Sequence, residues 1–131
     1  MAWGFIKPVT TQMSLELIKK IHKRLMSRLN IKIAGKLRQV QVGVQTKEGF
    51  KEAVNWALIR GKLEELCKTD PKTEEEIKQW HIKFEKIHPF EDGNGRTGRI
   101  IMNHQRLRAV LPLLIIHEGK EQHEYYQWFG N

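Results

Sequence analysis

The sequence predicts an all-α domain of about six helices with one short β-hairpin. Apolar residues recur with the helical period from Met13 to Leu29 and again from Ile77 to Ile87. Only the segment from Leu37 to Val44 alternates apolar and polar residues in the manner of a strand. Helical periodicity therefore dominates the chain, and a single β element interrupts it.

The length and composition are those of one globular domain. A chain of 131 residues is long enough to bury a hydrophobic core, and it contains no apolar run of membrane-spanning length. The segment Met1 to Val9 lacks the apolar stretch and cleavage site of a signal peptide. The single cysteine, Cys67, cannot form an internal disulfide, which is typical of a reducing compartment. We therefore expect a cytoplasmic protein that does not contact a membrane.

The formal net charge of +8 is concentrated in one block. No acidic residue interrupts the basic residues Lys19, Lys20, Lys23, Arg24, Arg28, Lys32, Lys36 and Arg38. Such a block attracts polyanions or an acidic protein partner. The alternative is a solvated helix face that only keeps the protein soluble, and the sequence leaves both interpretations open.

Two helices are predicted in the first half of the chain. The helix from Met13 to Leu29 has several candidate caps, because Thr10 or Thr11 fits that role as well as Ser14. A second helical pattern runs from Phe50 to Cys67.

Three further helices are predicted in the second half. Pro71 can open the third helix, and Pro89 marks its end. Its buried stripe is expected to consist of Ile77, Trp80, Phe84 and Ile87. A well-buried fourth helix that Pro112 stops is expected to carry Ile100, Ile101, Leu107 and Val110. One last short helix is expected between Ile115 and Phe129.

The stretch from His88 to Arg99 carries the residue types needed to bind phosphate. Gly93 and Gly95 leave the backbone uncovered, so successive amide N–H groups can converge on an anion. The helix that follows adds free N–H groups and the positive end of its dipole. Arg96 and Arg99 lie three residues apart on that helix, and both can donate to phosphate oxygens.

Two residues of the same stretch supply the remaining chemistry of phosphoryl transfer. Asp92 is the natural ligand for Mg²⁺, which one or two carboxylates and the substrate phosphates commonly hold. A neutral imidazole at His88 could take a proton from an incoming hydroxyl. The twelve residues therefore contain a nearly complete set of groups for this reaction.

This stretch also matches the motif HPFx(D/E)GNGRxxR of the Fic family, whose members are chiefly protein adenylyltransferases. The likeness extends to residues 81–87, which resemble the helix before the motif, and to residues 34–42, which resemble the family's flap hairpin. Asn103 and the Leu111-Pro112 stretch are also similar to family features. The resemblance implies a single Fic-type domain over residues 1–131, with its motif loop at 88–99 and its flap at 35–46.

The resemblance implies a role for each position of the motif. His88 would be the general base that activates a Ser, Thr or Tyr hydroxyl of a target protein, and Phe90 would anchor the loop. Asp92 would hold a Mg²⁺ that bridges the α and β phosphates of ATP. An anion hole would be formed by Gly93, Asn94 and Gly95. The β and γ phosphates would be held by Arg96 and Arg99. The flap residues that align the target backbone by strand addition would be Leu37, Arg38, Val40 and Val42.

The resemblance also bears on which group is transferred. A related subfamily that phosphorylates its targets carries lysine at the position of Gly95, whereas glycine favours nucleotidyl transfer with release of pyrophosphate. The expected reaction is therefore transfer of AMP from ATP to a protein hydroxyl. Another nucleotide stays an alternative, because the loop binds the part that all nucleoside triphosphates share.

One feature of many family members is missing. They carry a self-inhibitory helix with the pattern (S/T)xxxE(G/N), and no serine or threonine of this chain is followed by glutamate four residues later. A separate antitoxin-like protein could restrain the enzyme, the enzyme could be regulated otherwise, or the inhibitory segment could lie outside this sequence. The basic helix from Lys19 to Arg28 is one docking face for such a partner.

A nucleic-acid-binding module is the alternative from another class. The net charge favours it, and the segment from Gly95 to Gly98 satisfies the GXXG pattern of a KH loop. The surroundings lack the strand pattern of that module, and it leaves His88 and Asp92 unexplained. Nucleic acid is therefore not expected as a partner. The other histidines are expected to be structural at His81 and to lie on the surface at His117 and His123.

Overall fold

The computed structural model of the protein describes residues 11–46 and 48–129. These residues form helices and one two-stranded hairpin, so the predicted fold class is confirmed. The elements are α1 (Leu15–Met26), β1 (Gly43–Thr46), β2 (Gly49–Glu52), a 3₁₀ helix (Trp56–Leu58), α2 (Ile59–Cys67), α3 (Glu74–Ile87), α4 (Asn94–Arg108) and α5 (Lys120–Gln127). Among the helices of the described ranges, none combines the length and the apolar character needed to cross a membrane.

Side-chain caps fix where the first and third helices begin. Ser14 caps α1, because its hydroxyl accepts a hydrogen bond of 3.1 Å from the N–H of Leu17. Thr11 lies outside the helix, and Thr10 lies outside the described residues. Thr73 and Glu76 form a capping box at the start of α3. The Thr73 hydroxyl accepts from the N–H of Glu76, and the Glu76 carboxylate accepts from the N–H of Thr73.

The predicted stripe of α3 forms the centre of the core. Ile77, Trp80, Phe84 and Ile87 are all buried, as predicted. Trp80, Phe84 and Ile87 form one buried cluster with Met13, Leu15, Ile18, Ile21, Ile59, Leu63, Phe90 and Ile101. The helix that leads into the motif loop therefore has one face in the core.

The hairpin lies later in the chain than the sequence predicts. Its antiparallel strands pair Gly43 with Glu52 and Thr46 with Gly49, so the predicted flap at 35–46 overlaps the hairpin only in its last four residues. Phe50 belongs to β2, not to a helix. The flap residues Leu37, Arg38, Val40 and Val42 all precede β1, and their assignment to the hairpin was wrong.

Arg38 is the physical reason for this difference. Its side chain is only 1% exposed, and its guanidinium and Nε donate to the carbonyls of Val40, Val54, Ile87 and His88. Its backbone N–H also donates to the carbonyl of Pro89, at 2.9 Å. The backbone at Arg38 is therefore bonded to the motif loop and not to a partner strand, although the residues after it, such as Val40, are exposed.

The last two helices are shorter than predicted. Ile101 is buried in α4, but Leu107 near its end is 39% exposed. Val110 is 91% exposed because it lies beyond Arg108, where α4 ends before Pro112. The chain then turns back along α4. Both amide atoms of the Asn103 side chain bond the backbone of Leu114, and Arg106 Nε donates to the carbonyl of Pro112. The buried residues toward the end of α4 are Met102, His104, Gln105 and Arg106.

Replacing Arg38 by alanine is expected to lower the free energy of unfolding by about 3 kcal/mol or more. The substitution removes the donor for four carbonyls at once and leaves buried polar groups unsatisfied. Urea denaturation measures the change. The control is Gln39→Ala, an exposed neighbour, which should change stability by less than about 0.5 kcal/mol. Equal stabilities for the two variants would contradict the role of Arg38.

Candidate active site

The motif loop begins with a residue in a left-handed backbone conformation. α3 ends at Ile87, and His88 follows with φ 51° and ψ 63°, donating its N–H to the carbonyl of Phe84 at 3.2 Å. A non-glycine residue pays of order 1 kcal/mol for this conformation. Arg38 offsets this cost because it binds the carbonyls of both His88 and Pro89. The side chain of His88 is therefore aimed by a fixed backbone.

The side chain of Asn94 closes the loop. Its Oδ1 accepts from the N–H of Phe90 and its Nδ2 donates to the carbonyl of Phe90, both at 2.8 Å, and the residue is only 4% exposed. Phe90 is fully buried, which agrees with its predicted role as an anchor. The predicted position of Asn94 in an anion hole therefore concerns its backbone N–H, because the side chain is engaged with the loop itself.

His22, which the sequence did not single out, supports the loop from α1. Its ring stacks on Phe90 with centroids 3.6 Å apart. The N–H of Gly35 donates to its Nδ1, so Nε2 carries the hydrogen and donates to the carbonyl of Asp92 at 2.8 Å. Burial lowers the pKa of His22, which keeps the ring neutral. No local pattern in the sequence could reveal these contacts, because His22 and Asp92 are 70 residues apart.

Gly93 begins α4 in a position that only glycine fits. Its φ is 80°, and a Cβ atom there would lie 2.8 Å from the sulfur of Met26. The first turn of α4 follows at once, and its N–H groups have no partner within the helix. A glycine turn therefore precedes a helix N-terminus at the predicted position.

One open cleft of about 1400 Å³ brings the predicted motif residues together. Its lining includes the general-base and metal-ligand candidates, His88 and Asp92. It also includes the anion-binding candidates Gly93, Asn94, Gly95, Arg96 and Arg99. The predicted flap residues Leu37, Arg38, Val40 and Val42 do not line it. Their place is taken by hairpin residues, including Val44, Glu48 and Lys51.

The imidazole of His88 is poised to act as a base. Its side chain is half-buried, and burial together with the positive charge of Arg38 lowers its pKa. The ring is therefore neutral at physiological pH, which is the form that can accept a proton. Asp92 is exposed and lines the same cleft, and its Oδ1 accepts from the N–H of Gly93 at 2.8 Å.

Gly95 makes room for Arg99. A Cβ atom at Gly95 would lie 3.1 Å from Nη1 of Arg99, so the guanidinium lies directly over the first turn of α4. Arg96 is exposed and also borders the cleft. Two guanidiniums therefore flank the helix N-terminus, as their spacing predicts.

Aromatic residues of α5 and its C-terminal end also line the cleft, and the sequence assigned them no role. Tyr125, Tyr126 and Phe129 line it together with Glu85 of α3. Tyr125 and Phe129 are four residues apart, which places them on one helical face. The sequence could have indicated this shared face through that spacing, but the spacing does not show which other element the face contacts.

A model of the Fic/DOC family matches residues 12–105 of this chain. The chain belongs to the Fic/DOC family. The protein adenylyltransferase Fic of Nematostella vectensis is 32% identical over 125 residues, which covers 86% of this chain and 27% of that protein. The protein adenylyltransferase fic-1 of Caenorhabditis elegans is 30% identical over 124 residues, which covers 88% of this chain and 23% of that protein. This Fic domain thus spans about a quarter of these relatives.

Solved structures of Fic-1 from C. elegans share the fold of this Fic domain. A variant of Fic-1 superposes with a TM-score of 0.77 at 23% identity, over 97% of this chain and 40% of that chain. A second Fic-1 structure gives a TM-score of 0.66 at 26% identity, over 88% of this chain and 34% of that chain. The helical architecture around the motif loop is therefore the Fic fold.

Glu85 is a buried carboxylate beside Arg99. Its Oε1 is fully buried without a hydrogen-bond partner, and the groups that face it are His81, Arg99 and Tyr125. Burial raises the pKa of Glu85 to about 7, although the charge of Arg99 opposes this shift. The folded protein therefore binds a proton at Glu85 more tightly than the unfolded chain does.

The variant Glu85→Gln is expected to gain stability over the wild type as the pH rises. In the wild type, the contribution of Glu85 to stability falls between the unfolded pKa of 4.5 and the folded pKa of about 7. The difference in unfolding free energy between variant and wild type should grow by about 2–3 kcal/mol from pH 4.5 to pH 8. Urea denaturation across this range measures it. A difference that does not change with pH would contradict the raised pKa.

Gly98 is expected to tolerate no larger residue, because a Cβ atom there would clash with Oε1 of Glu85 and lie 3.1 Å from Cε1 of His81. Gly98→Ala should lower the free energy of unfolding by about 1–3 kcal/mol. Gly61→Ala is the matched control, since its Cβ would meet open space within α2, and it should stabilise by about 0.5–1 kcal/mol. Chemical denaturation that ranks the two variants in the opposite order would show that the contact is not restrictive.

Proposed function

We propose that this Fic domain transfers AMP from ATP to a hydroxyl group of a target protein and releases pyrophosphate. The observation that carries the proposal is the shared cleft, which contains a neutral imidazole, a carboxylate, a helix N-terminus and two guanidiniums. The relatives of this chain in Nematostella vectensis and C. elegans support it, because both are named protein adenylyltransferases.

The phosphates of ATP bind at the N-terminus of α4. The backbone N–H groups of Asn94 and Gly95 donate to phosphate oxygens there, beside the N–H of Gly93 that bonds Asp92, and the helix dipole adds to the attraction. Arg99 lies over the same turn and donates to the outer phosphates, and Arg96 assists from the surface. Phosphate oxygens can approach the backbone closely there, because Gly93 and Gly95 have no side chain and the side chain of Asn94 bonds Phe90.

Asp92 fits the role of a magnesium ligand. Its carboxylate is exposed in the cleft beside the phosphate-binding turn, and only its Oδ1 is engaged, by the N–H of Gly93. Within residues 11–46 and 48–129, no group of three metal-binding side chains occurs. A single exposed carboxylate suits Mg²⁺, which would take its remaining ligands from water and substrate phosphates and would neutralise their charge.

His88 begins the reaction by taking the proton of the target hydroxyl. The hydroxyl oxygen then forms a bond to the α-phosphorus of ATP, and the bond between that phosphorus and the bridging α–β oxygen breaks. Pyrophosphate leaves with this electron pair, while the N–H groups of the α4 turn stabilise the charge on the α-phosphate. The products are an AMP-modified hydroxyl and pyrophosphate.

The nucleotide base meets aromatic side chains of the cleft. Tyr126 and Phe129 line the cleft and offer ring faces on which a base can stack. Stacking alone accepts any base, so a transfer that uses another nucleoside triphosphate stays the second candidate reaction. Competition among unlabelled ATP, GTP, CTP and UTP ranks the four bases.

The hairpin aligns the target polypeptide. Val44, Glu48 and Lys51 line the same cleft as His88, and an extended segment can add to an outer edge of the two-stranded sheet. Phe50 is 75% exposed at the hairpin and offers an apolar contact. The flap role that was predicted for residues 35–46 is therefore proposed for residues 43–52.

A separate inhibitory protein with an acidic docking segment is the proposed regulator, in a cytoplasmic setting. Lys19, Lys32, Lys36 and Arg60 surround a groove of about 530 Å³ whose wall includes the half-exposed ring of Trp56. Charge complementarity favours an acidic segment with one apolar side chain. The test replaces Lys32 and Lys36 by glutamate and measures binding of partner proteins. If every partner complex stays intact, this proposal is contradicted.

Replacing His88 by alanine is expected to cut transfer by about 10²–10⁴-fold while ATP affinity changes little, because the general base acts only in the chemical step. Calorimetric titration with ATP and mass spectrometry of modified protein measure the two quantities. Arg99→Ala is the contrasting variant, and it should weaken ATP binding because it removes a charge-assisted phosphate contact. Full transfer activity of the His88 variant would refute the role of His88.

Labelled ATP separates the proposed reaction from its alternatives. The protein is incubated with a cell lysate, Mg²⁺ and ATP labelled at either the α or the γ phosphorus. Protein label from the α position alone supports AMP transfer, whereas label from the γ position indicates phosphorylation. Binding of an RNA oligonucleotide that weakens with salt, without any protein label, would support a nucleic-acid module instead.

A further inference from the structure

A chain of hydrogen bonds behind Arg99 connects three helices and has no part in the mechanism described above. His81 of α3 bonds the carbonyl of Gly98 in α4 through Nδ1, at 3.2 Å. Its Nε2 lies 2.7 Å from the hydroxyl of Tyr125 in α5. Tyr125 in turn borders the cleft beside Arg99. The chain therefore ends at a guanidinium of the phosphate-binding site.

The chemistry of the groups fixes the direction of each hydrogen bond. A carbonyl only accepts, so Nδ1 of His81 carries a hydrogen and donates it to Gly98. Burial lowers the pKa of His81 to about 4, so the ring is neutral and its Nε2 has a free lone pair. The hydroxyl of Tyr125 must therefore donate to Nε2.

This direction leaves the oxygen of Tyr125 as an acceptor for Arg99. Its hydrogen points toward His81, so its lone pairs are available to a donor on the other side. Burial raises the pKa of Tyr125 to about 12, and a hydrogen bond from Arg99 acts against this shift. A guanidinium has only donors, so the pair is matched.

The chain is rigid because its members are enclosed. His81 is 1% exposed and Tyr125 is 4% exposed, and Tyr125 is the one buried residue of α5. The rings of Trp128 and Phe129 pack on Tyr125 with centroid distances of 5.1 Å and 5.2 Å. The hydroxyl therefore has little freedom to turn away from its two partners.

We propose that Tyr125 is a positioning residue that holds the guanidinium of Arg99 toward the outer phosphates of the nucleotide, with His81 orienting the Tyr125 hydroxyl. The inference rests on the proposed function, because it takes Arg99 to bind phosphate. It adds a role for α5, whose other residues the mechanism uses only for the base. It also gives the buried His81 a function beyond packing.

The test compares ATP with AMP as ligands of the full chain. Tyr125→Phe removes only the hydroxyl, and it should raise the Kd for ATP about 5- to 20-fold, the loss of about one charge-assisted hydrogen bond. The Kd for AMP, which lacks the outer phosphates, should stay unchanged. The control is Thr73→Ala, which removes another hydrogen-bonding hydroxyl, in the cap of the helix that carries His81. It should change neither Kd.

A pair of His81 variants tests the chain without touching Tyr125 and serves if Tyr125→Phe fails to fold. An asparagine amide can replace Nδ1, so His81→Asn keeps the donor to Gly98 and loses the acceptor for Tyr125. A glutamine amide reaches the position of Nε2, so His81→Gln keeps that acceptor. ATP should bind His81→Asn more weakly than His81→Gln, while AMP should bind both equally.

The outcomes separate this inference from the proposed function. If Arg99→Ala weakens ATP binding and Tyr125→Phe does not, the positioning role is overturned and the phosphate site stands. If Arg99→Ala leaves ATP binding unchanged, the phosphate site falls and the positioning role falls with it. Equal loss of ATP and AMP affinity in Tyr125→Phe would show general damage to the cleft and would also overturn the inference. In the double variant, Tyr125→Phe should add no further loss to that of Arg99→Ala.

Discussion

The buried guanidinium of Arg38 is the interaction on which the rest of this fold depends. It binds carbonyls from the segment before the hairpin, from the segment after it and from the C-terminal end of α3. A planar group with five donors in fixed directions can satisfy several carbonyls that no lysine could serve. Because two of these carbonyls belong to Ile87 and His88, the same contact sets where α3 ends and how the motif loop begins.

The site is preorganised by contacts that lie mostly outside the cleft. His88 and Gly93 both take left-handed backbone conformations, and the Asn94 side chain spans the residues between them by bonding Phe90 twice. His22 of α1 supports the loop, because its ring stacks on Phe90 and donates to the carbonyl of Asp92. A loop held in this way presents the imidazole and the helix N-terminus in a fixed relation, so little reorganisation is needed when substrate binds.

The sequence predicts the local features of this protein well and its long-range features poorly. The stripe of α3 and the phosphate-binding turn depend on neighbouring residues, so periodicity and glycine spacing reveal them. The hairpin was misplaced because alternation around Val40 and Val42 resembles a strand, whereas the Arg38 backbone and side chain bond the motif loop instead of a partner strand. The contact between His81 and Tyr125 joins residues 44 positions apart, and no pattern within either helix encodes it.

A crystal structure of the His88→Ala variant with ATP and Mg²⁺ tests the central claim most directly. The variant keeps the phosphate-binding turn and removes the base, so the nucleotide should stay intact. The account predicts the phosphates at the N-terminus of α4, with the outer phosphates on Arg99 and the α-phosphorus facing the space that the imidazole of residue 88 leaves. Phosphates bound away from this turn, or an α-phosphorus that faces away from residue 88, would contradict it.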